Sequence, residues 1–244
     1  MLIPSARFIL LLGVSSVVHA AVPAHLESDS FAPQEHSSPC AIQNVTGIMQ
    51  VLSTDLEQDI DFISCIFGRD SECYVIGDRS NANRVVLNPN CDSTEPFSVE
   101  IPFESPYSTN LFFGAAIFTF SNNPSGQAKN LSPDLYNWAK IEPTVHVPRG
   151  PAQDKRRRGL PKAIESTIWT LQNNTDVDNS DIMTLVPSWV NSDGSVASNV
   201  SLVFTPSERS LSLTGNVENL EERFGPASQV VTIRFIPDTN APTV

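Results

Sequence analysis

The chain has 244 residues, of which 40% are hydrophobic and 17% charged, so it can bury a core of its own and is not a disordered chain. Its 27 acidic and 15 basic residues give a formal net charge of -12, which would repel the phosphate backbone of a nucleic acid. A nucleic-acid partner is therefore not expected. With 19 Pro and 11 Gly, the composition favours short strands joined by turns over long helices.

Residues 1–20 have the pattern of a signal peptide. Arg7 precedes an apolar run over residues 8–18, and small residues precede the expected cleavage site after Ala20. That run is about half of the roughly 20 residues that a membrane-spanning helix needs. We therefore expect export and a soluble mature chain without a membrane span. Residues 21–39 are rich in Ser, Pro, Glu and Ala, which predicts a flexible leader.

The cysteines of an exported protein are expected to be oxidised. All four lie within a stretch of about fifty residues, and they predict two disulfides with three possible connectivities. A zinc site is the alternative, but the chain has no Cys-x2-Cys pair. The four cysteines are Cys40, Cys65, Cys73 and Cys91.

Four sequons of the form Asn-x-Ser/Thr predict N-glycosylation in the secretory pathway. Each occupied sequon must lie on the protein surface. The candidate residues are Asn44, Asn130, Asn173 and Asn199.

The region 40–121 alternates short apolar runs with turn residues, which predicts a β-domain stapled by its disulfides. Its last apolar run, LFFGAAIFTF, is too short to span a membrane and is typical of a strand buried on both faces. The predicted strands are Ile42–Val51, Asp61–Phe67, Glu72–Ile76, Arg84–Leu87, Phe97–Ile101 and Leu111–Phe120.

The region 122–162 is rich in Pro and Gly and is predicted to be a connector. Near its end the sequence KRRRG, residues 155–159, predicts a processing site for a dibasic-cutting convertase, with Arg157 and Arg158 at the cleavage position. The alternative is an uncut basic loop that docks on the acidic remainder of the molecule.

The region 163–244 is predicted to be a C-terminal β-domain. Its predicted strands are Ala163–Leu171, Ile182–Val190, Ser201–Thr205, Ser210–Thr214 and a last strand containing Val231, Ile233 and Phe235. Before that last strand, apolar residues at i, i+3 and i+7 predict a two-turn helix that begins after Asn216 and ends at Gly225. The expected fold is all-β: a sandwich-like antiparallel arrangement of short strands with one short helix, built as one unit or as two packed β-domains.

No catalytic, cofactor or metal site follows from the sequence. Ser-His-Asp chemistry needs a histidine, and only His146 lies outside the signal and the leader, in the Pro-rich connector. Asp176, Asp178 and Asp181 resemble the start of a calcium loop, but the glycine at the sixth loop position is missing. A polar turn is the preferred interpretation of these aspartates.

The three tryptophans have two interpretations. Their flat faces could form a stacking platform for sugars, or they could pack in the core. Core packing is preferred because a chain with so few tryptophans needs their apolar area inside. The residues are Trp138, Trp169 and Trp189.

The C-terminal third carries a diffuse pattern that resembles the C-terminal part of uncharacterised secreted proteins of mushroom-forming (basidiomycete) fungi. The resemblance implies a fungal exported β-protein, and it supplies neither an activity nor site residues. It rests on the segments 168–171 (IWTL), 185–195 (LVPSWVNSDGS), 213–215 (LTG), 224–225 (FG) and 231–235 (VTIRF).

These observations predict a secreted, glycosylated, β-rich extracellular protein that acts as a surface, cell-wall or partner-binding module without catalysis. Its expected partner is a carbohydrate or another extracellular protein, and no cofactor is expected. The alternative is a carbohydrate-active or other hydrolase that uses acidic residues.

Overall fold

The computed structural model of the protein describes residues 44–54, 59–67, 71–89, 94–102, 111–118, 128–157, 160–175 and 181–238. All of these residues belong to one compact unit, Pro39–Val244. The expected signal peptide, the cleavage site after Ala20 and the leader lie outside the described residues.

Within the described residues, the chain forms fourteen strands, one α-helix and one turn of 3₁₀ helix. The first six strands are β1 (Val45–Ser53), β2 (Asp59–Ile66), β3 (Glu72–Ile76), β4 (Arg84–Leu87), β5 (Phe97–Ile101) and β6 (Leu111–Phe118). The next five are β7 (Trp138–Thr144), β8 (Gln153–Arg157), β9 (Leu160–Glu165), β10 (Thr167–Thr175) and β11 (Asp181–Pro187). The last three are β12 (Ser201–Thr205), β13 (Ser210–Thr214) and β14 (Gln229–Pro237), with α1 (Val217–Phe224) before β14 and the 3₁₀ turn at Arg79–Asn81.

The antiparallel sheet closes on itself to form an eight-stranded barrel. Each strand pairs with the next in the order β1, β4, β5, β6, β7, β13, β12 and β14, and β14 pairs again with β1. The predicted all-β, antiparallel class is confirmed, but the predicted sandwich is wrong. A sandwich stacks two sheets face to face, whereas here β1 and β14 pair directly, with Met49 opposite Phe235, and close one sheet into a ring.

The other six strands extend or bridge this ring. The hairpin β10–β11 joins β5 to β14, while β2 and β3 continue outward from β1. β9 pairs with β6, and β8 pairs with β9 at one end of the strand order. Strand β1 is long enough to have two neighbours on one side. Its first residues pair with β4, and residues further along pair with β2.

The ring combines strands from the regions that the sequence suggested as separate domains. β1, β4, β5 and β6 come from 40–121, and β12, β13 and β14 come from 163–244. The region 122–162, predicted as a connector, supplies β7 and β8 and the start of β9. Its Pro residues therefore interrupt a series of strands and do not separate two folded bodies.

The larger of the two apolar clusters in the described part of the chain contains buried side chains from the ring strands and from strands outside the ring. Trp169 on β10 is fully buried and stacks on Phe113 of β6, with ring centroids 5.1 Å apart. Its indole Nε1–H donates a 2.6 Å hydrogen bond to the backbone carbonyl of Phe113. This bond matters because a buried indole N–H without a partner would cost free energy.

Helix α1 begins and ends where the sequence predicted. The Asn216 side chain accepts a hydrogen bond from the backbone N–H of Asn219 and caps the N-terminus. Gly225 ends the helix with a φ of 104°, a conformation that glycine adopts without steric cost. Leu220 is the buried residue of the helix.

Candidate functional site

One disulfide is present among the described residues. Cys65 on β2 and Cys73 on β3 lie opposite each other in the strand pairing and are joined by a disulfide. Cys40 and Cys91 lie outside the described residues. Of the three connectivities left open by the sequence, this bond leaves only the one in which Cys40 would pair with Cys91.

Two of the predicted glycosylation residues lie on the surface with the same backbone conformation. Asn44 and Asn199 are exposed and have φ values of 55° and 57°. Asn130 is half-buried, and its side-chain oxygen accepts 2.8 Å hydrogen bonds from the backbone N–H and the hydroxyl of Ser192. Asn173 lies on β10, and its side chain is outside the described part. Glycosylation of all four residues stays a prediction.

The calcium and processing candidates lie largely beyond the described residues. Asp176 and Asp178 lie outside them, and Asp181 is the first residue of β11 with an undescribed side chain. Among the side chains that are described, no three His, Cys, Asp or Glu residues come together as a metal site. Arg157 ends β8 opposite Leu160, so the basic run enters a strand where a loop was expected. Arg158 lies outside the described residues, and cleavage stays a prediction.

The tryptophans divide between core and surface. Trp169 and Trp189 are fully buried, and the Trp189 Nε1–H donates to the backbone carbonyl of Lys129 at 2.8 Å. Trp138 is half-buried at the start of β7, where its ring meets Phe224 edge to face and the Arg223 guanidinium lies 4.7 Å from its centroid. Two of the three tryptophans, Trp169 and Trp189, therefore pack in the core.

A surface groove of about 700 Å³ is the strongest candidate for a functional site. It lies where β5, the start of β6, the segment after β7 and the start of β10 meet. We call it the His146 groove. Its polar lining residues are Asn88, Glu95, Ser98, Glu100, His146, Arg149 and Thr167, and its other lining residues are Pro96, Phe97, Phe112 and Pro148.

Two rings form an aromatic corner of the groove. The imidazole of His146 meets the Phe112 ring at an interplanar angle of 60°, with centroids 5.0 Å apart. His146 is exposed and Phe112 is half-buried, so this corner contacts solvent. Phe97, by contrast, is almost completely buried and forms the floor.

The segment that carries His146 and Arg149 is held by two hydroxyl groups. The Ser166 hydroxyl accepts from the Val147 N–H at 2.7 Å and donates to the Val147 carbonyl at 3.1 Å. The Thr167 hydroxyl donates to the same carbonyl at 2.6 Å and also lies 2.8 Å from the Ser98 hydroxyl. These bonds link the segment to β10 and β5 and fix its position beside the groove.

Arg149 lines the groove and interacts electrostatically with the buried carboxyl group of Glu165. Its Nη1 donates a 3.4 Å hydrogen bond to the Thr167 carbonyl. Burial lowers the pKa of the Arg149 guanidinium, and the nearby Glu165 carboxylate opposes that change. Because the ordinary pKa of an arginine lies far above neutral pH, the Arg149 guanidinium stays charged and can donate hydrogen bonds to a ligand.

Glu165 lies at the end of β9 and is not among the residues that line the groove. Only 2% of the residue is exposed, and burial raises the pKa of its carboxyl group to about 8. The Val190 N–H, 3.0 and 3.2 Å from the two carboxyl oxygens, and the Arg149 charge both oppose this rise. Burial outweighs both, so the carboxyl is mostly protonated at neutral pH and links β9 to the segment after β11.

The comparisons with known proteins add no family to these observations. A scan against protein-family models and searches of curated proteins and of solved structures found no match. The described part of the chain contains no helix with the length and apolarity needed to cross a membrane. The assignment of a function therefore depends on the geometry of the groove.

None of the residues that line this groove was predicted as a site residue. His146 was considered only for Ser-His-Asp chemistry, which the sequence did not support, and Arg149 belongs to no motif. Glu165 was hidden inside an apparently continuous strand, Ala163–Leu171, which the structure divides at Ser166. The available signal was the pair of hydroxyl residues at 166 and 167, which interrupts that apolar run.

Proposed function

We propose that this chain is an exported, glycosylated extracellular module that binds carbohydrate in the His146 groove without catalysing a reaction. The observation that carries the proposal is the combination, in one groove, of a solvent-facing aromatic corner with carboxylate, amide, hydroxyl and guanidinium groups. As the sequence resemblance implies, we also propose that it is a secreted protein of a fungus.

The size of the groove suits a short oligosaccharide. Sites for small molecules commonly have volumes of about 300–1,000 Å³, and the groove has about 700 Å³. It opens along the surface, between β5 on one side and the segment 146–149 on the other. A chain of sugar units could therefore lie across it with its ends in solvent.

The lining groups match the two kinds of surface that a sugar presents. The aromatic corner of Phe112 and His146 offers ring faces to the CH groups of a pyranose. Glu95 and Glu100 accept hydrogen bonds from sugar hydroxyls, while Arg149 donates them. Hydrogen bonds to charged groups are stronger than those between neutral groups, which favours hydroxyl recognition here.

The groove is also held in place before a ligand arrives. The hydrogen bonds of Ser166 and Thr167 fix the segment that carries His146 and Arg149. Ligand binding then costs less conformational entropy, because this segment does not have to become ordered. This arrangement supports recognition by a rigid surface.

The carboxyl group with the raised pKa supports a binding role over an acid–base role. A general acid must reach the proton acceptor on its substrate. Glu165 instead accepts from the Val190 N–H with both carboxyl oxygens, is buried, and does not line the groove. In our account this proton keeps the buried carboxyl group neutral and is not transferred to a substrate.

The test is a glycan array followed by titration of the strongest oligosaccharide against wild type and two variants. His146→Ala removes a ring from the aromatic corner and should weaken binding about 5- to 10-fold. Tyr136→Ala is the matched control, because Tyr136 is an aromatic residue 69% exposed that does not line the groove. Absence of binding to any glycan, or an equal loss with both variants, would contradict the proposal.

A hydrolase is the second candidate, and the presence of two carboxylates in one groove favours it. Glu95 and Glu100 both line the His146 groove, and glycosidases use a pair of carboxyl groups on either side of the scissile bond. Release of reducing sugar from a bound oligosaccharide, abolished separately by Glu95→Gln and Glu100→Gln, would establish this function. Binding without release of product favours the binding module.

A further inference from the structure

A second, smaller cavity lies between β7 and the β8–β9 hairpin. Its volume is about 290 Å³, at the lower end of small-molecule sites. We call it the lysine pocket. It is lined by Leu111, Glu142, Pro143, Thr144, Val145, Lys155, Lys162 and Ile164.

The strand register places two lysines together in this pocket. Lys155 on β8 is directly opposite Lys162 on β9, and directly opposite residues of an antiparallel pair project from the same face. Like charges in that arrangement repel each other and destabilise the pair. With two lysines and one carboxylate, that of Glu142, among its lining residues, the pocket carries one more positive than negative group in a chain whose overall charge is -12.

Only one of the two lysines is paired with the carboxylate of the pocket. The Nζ of Lys162 donates to both oxygens of Glu142, at 2.9 and 2.7 Å, and the Glu142 side chain is only 4% exposed. Among the described side chains, Lys155 has no ion pair, and it is exposed at the rim. Since Glu142 is held by Lys162, an incoming anion would be the partner of Lys155.

The rest of the lining is mainly apolar. Leu111, Pro143, Val145 and Ile164 supply hydrocarbon walls beside the two ammonium groups. An aliphatic chain against these walls would remove apolar surface from water, which is favourable in proportion to the area buried. The pocket thus combines a cationic rim with an apolar interior.

We infer that the lysine pocket binds a small amphiphilic carboxylate, with the carboxylate on Lys155 and the aliphatic chain against the apolar walls. A monoanion suits the net charge of the pocket, because Glu142 already neutralises one of its two lysines. The inference is independent of the carbohydrate proposal, since none of the residues of this pocket lines the His146 groove.

The test uses octanoate as the probe and isothermal titration calorimetry as the measurement. Wild type should bind octanoate, with octan-1-ol and acetate at least about tenfold weaker, because each lacks one of the two recognised parts. Lys155→Gln should weaken octanoate about tenfold. The matched control is Lys129→Gln, which removes a lysine that pairs with Asp154 on β8 but lies outside the pocket, and which should bind as wild type does.

Three results would overturn the inference. The first is no heat of binding for octanoate at millimolar concentration with wild type. The second is an unchanged octanoate affinity in Lys155→Gln. The third is competition by inorganic phosphate at the same concentration as octanoate, which would show a simple anion site in which the apolar walls have no role.

Discussion

The buried Glu165 makes a prediction about the pH dependence of folding. Burial raises the pKa of this carboxyl from its ordinary value of 4.5 to about 8 in the folded protein. Between these two pH values the unfolded chain has lost the proton and the folded protein still holds it. The folded state therefore binds more protons, and its stability must fall as the pH rises from 4.5 to 8.

The magnitude follows from the difference between the two pKa values. One pKa unit corresponds to about 1.4 kcal/mol, so the complete effect of Glu165 on the free energy of unfolding is roughly 5 kcal/mol, of which about 4 kcal/mol is lost between pH 4.5 and pH 8. Glu165→Gln keeps the shape and an oxygen for the Val190 N–H, but it carries no titrating proton. The variant should therefore exceed wild type by about 3–5 kcal/mol at pH 8 and lie within about 1 kcal/mol of it at pH 5.

The assay is urea unfolding of both proteins at several pH values from 5 to 8.5, at constant ionic strength. The control is Glu208→Gln, the same substitution at an exposed glutamate, which shows whether the effect is specific to position 165. Parallel stability curves for wild type and Glu165→Gln would refute the reasoning. So would a Glu165→Gln variant less stable than wild type at pH 8, because Glu165 would then act as a stabilising carboxylate.

Three further predictions concern the fold. Removing the disulfide with Cys65→Ser and Cys73→Ser should lower the free energy of unfolding by about 2–3 kcal/mol, which is the loop-closure entropy for a sequence separation of 8. Wild-type stability in the double variant would contradict this. Gly47→Ala should lower the free energy of unfolding by about 1–3 kcal/mol, because the added Cβ would overlap the backbone of β14. The control is Gly77→Ala, whose Cβ would have its nearest contact at 3.4 Å and which should change stability by less than about 0.5 kcal/mol in the same denaturation assay. Trp169→Phe should cost about 2–3 kcal/mol in thermal or urea unfolding, since it leaves a cavity and a buried carbonyl without its donor, and a neutral effect would contradict the assigned packing.

Local patterns in the sequence were sufficient for many individual elements. The bounds of β3, β4, β5, β12 and β13 agree with the predicted strands, because each has a short apolar alternation between turn residues. The helix was predictable from three apolar residues at helical spacing and from the caps Asn216 and Gly225. These signals all come from neighbours in the chain.

The two missed strands lack the pattern that hydrophobic periodicity detects. β7 contains Glu142, a buried charged residue that pairs with Lys162 on β9, and it also contains Pro143. β8 has the sequence QDKRR, without an apolar residue, and pairs with β9 at the end of the strand order. Charged residues are typical of strands at a sheet edge, where they prevent pairing with other chains.

Barrel closure and the candidate site depend on pairings between distant residues. The pairing of β1 with β14 joins residues about 190 positions apart, and alternation within a strand does not specify its partner. The His146 groove depends in the same way on β5 meeting β10 and on Val147 meeting Ser166. Its polar residues are therefore scattered along the chain and become a site only in the folded barrel.

Mapping the ligand surface on the protein tests the central claim most directly. Backbone amide chemical shifts of the ¹⁵N-labelled protein would be recorded with and without a saturating amount of the oligosaccharide that binds best on the array. Our account predicts that the largest changes fall at residues 95–100, Phe112 and 146–149, around the His146 groove. No oligosaccharide binding, or changes confined to Tyr136, Trp138 and α1 on the other aromatic surface, would contradict it.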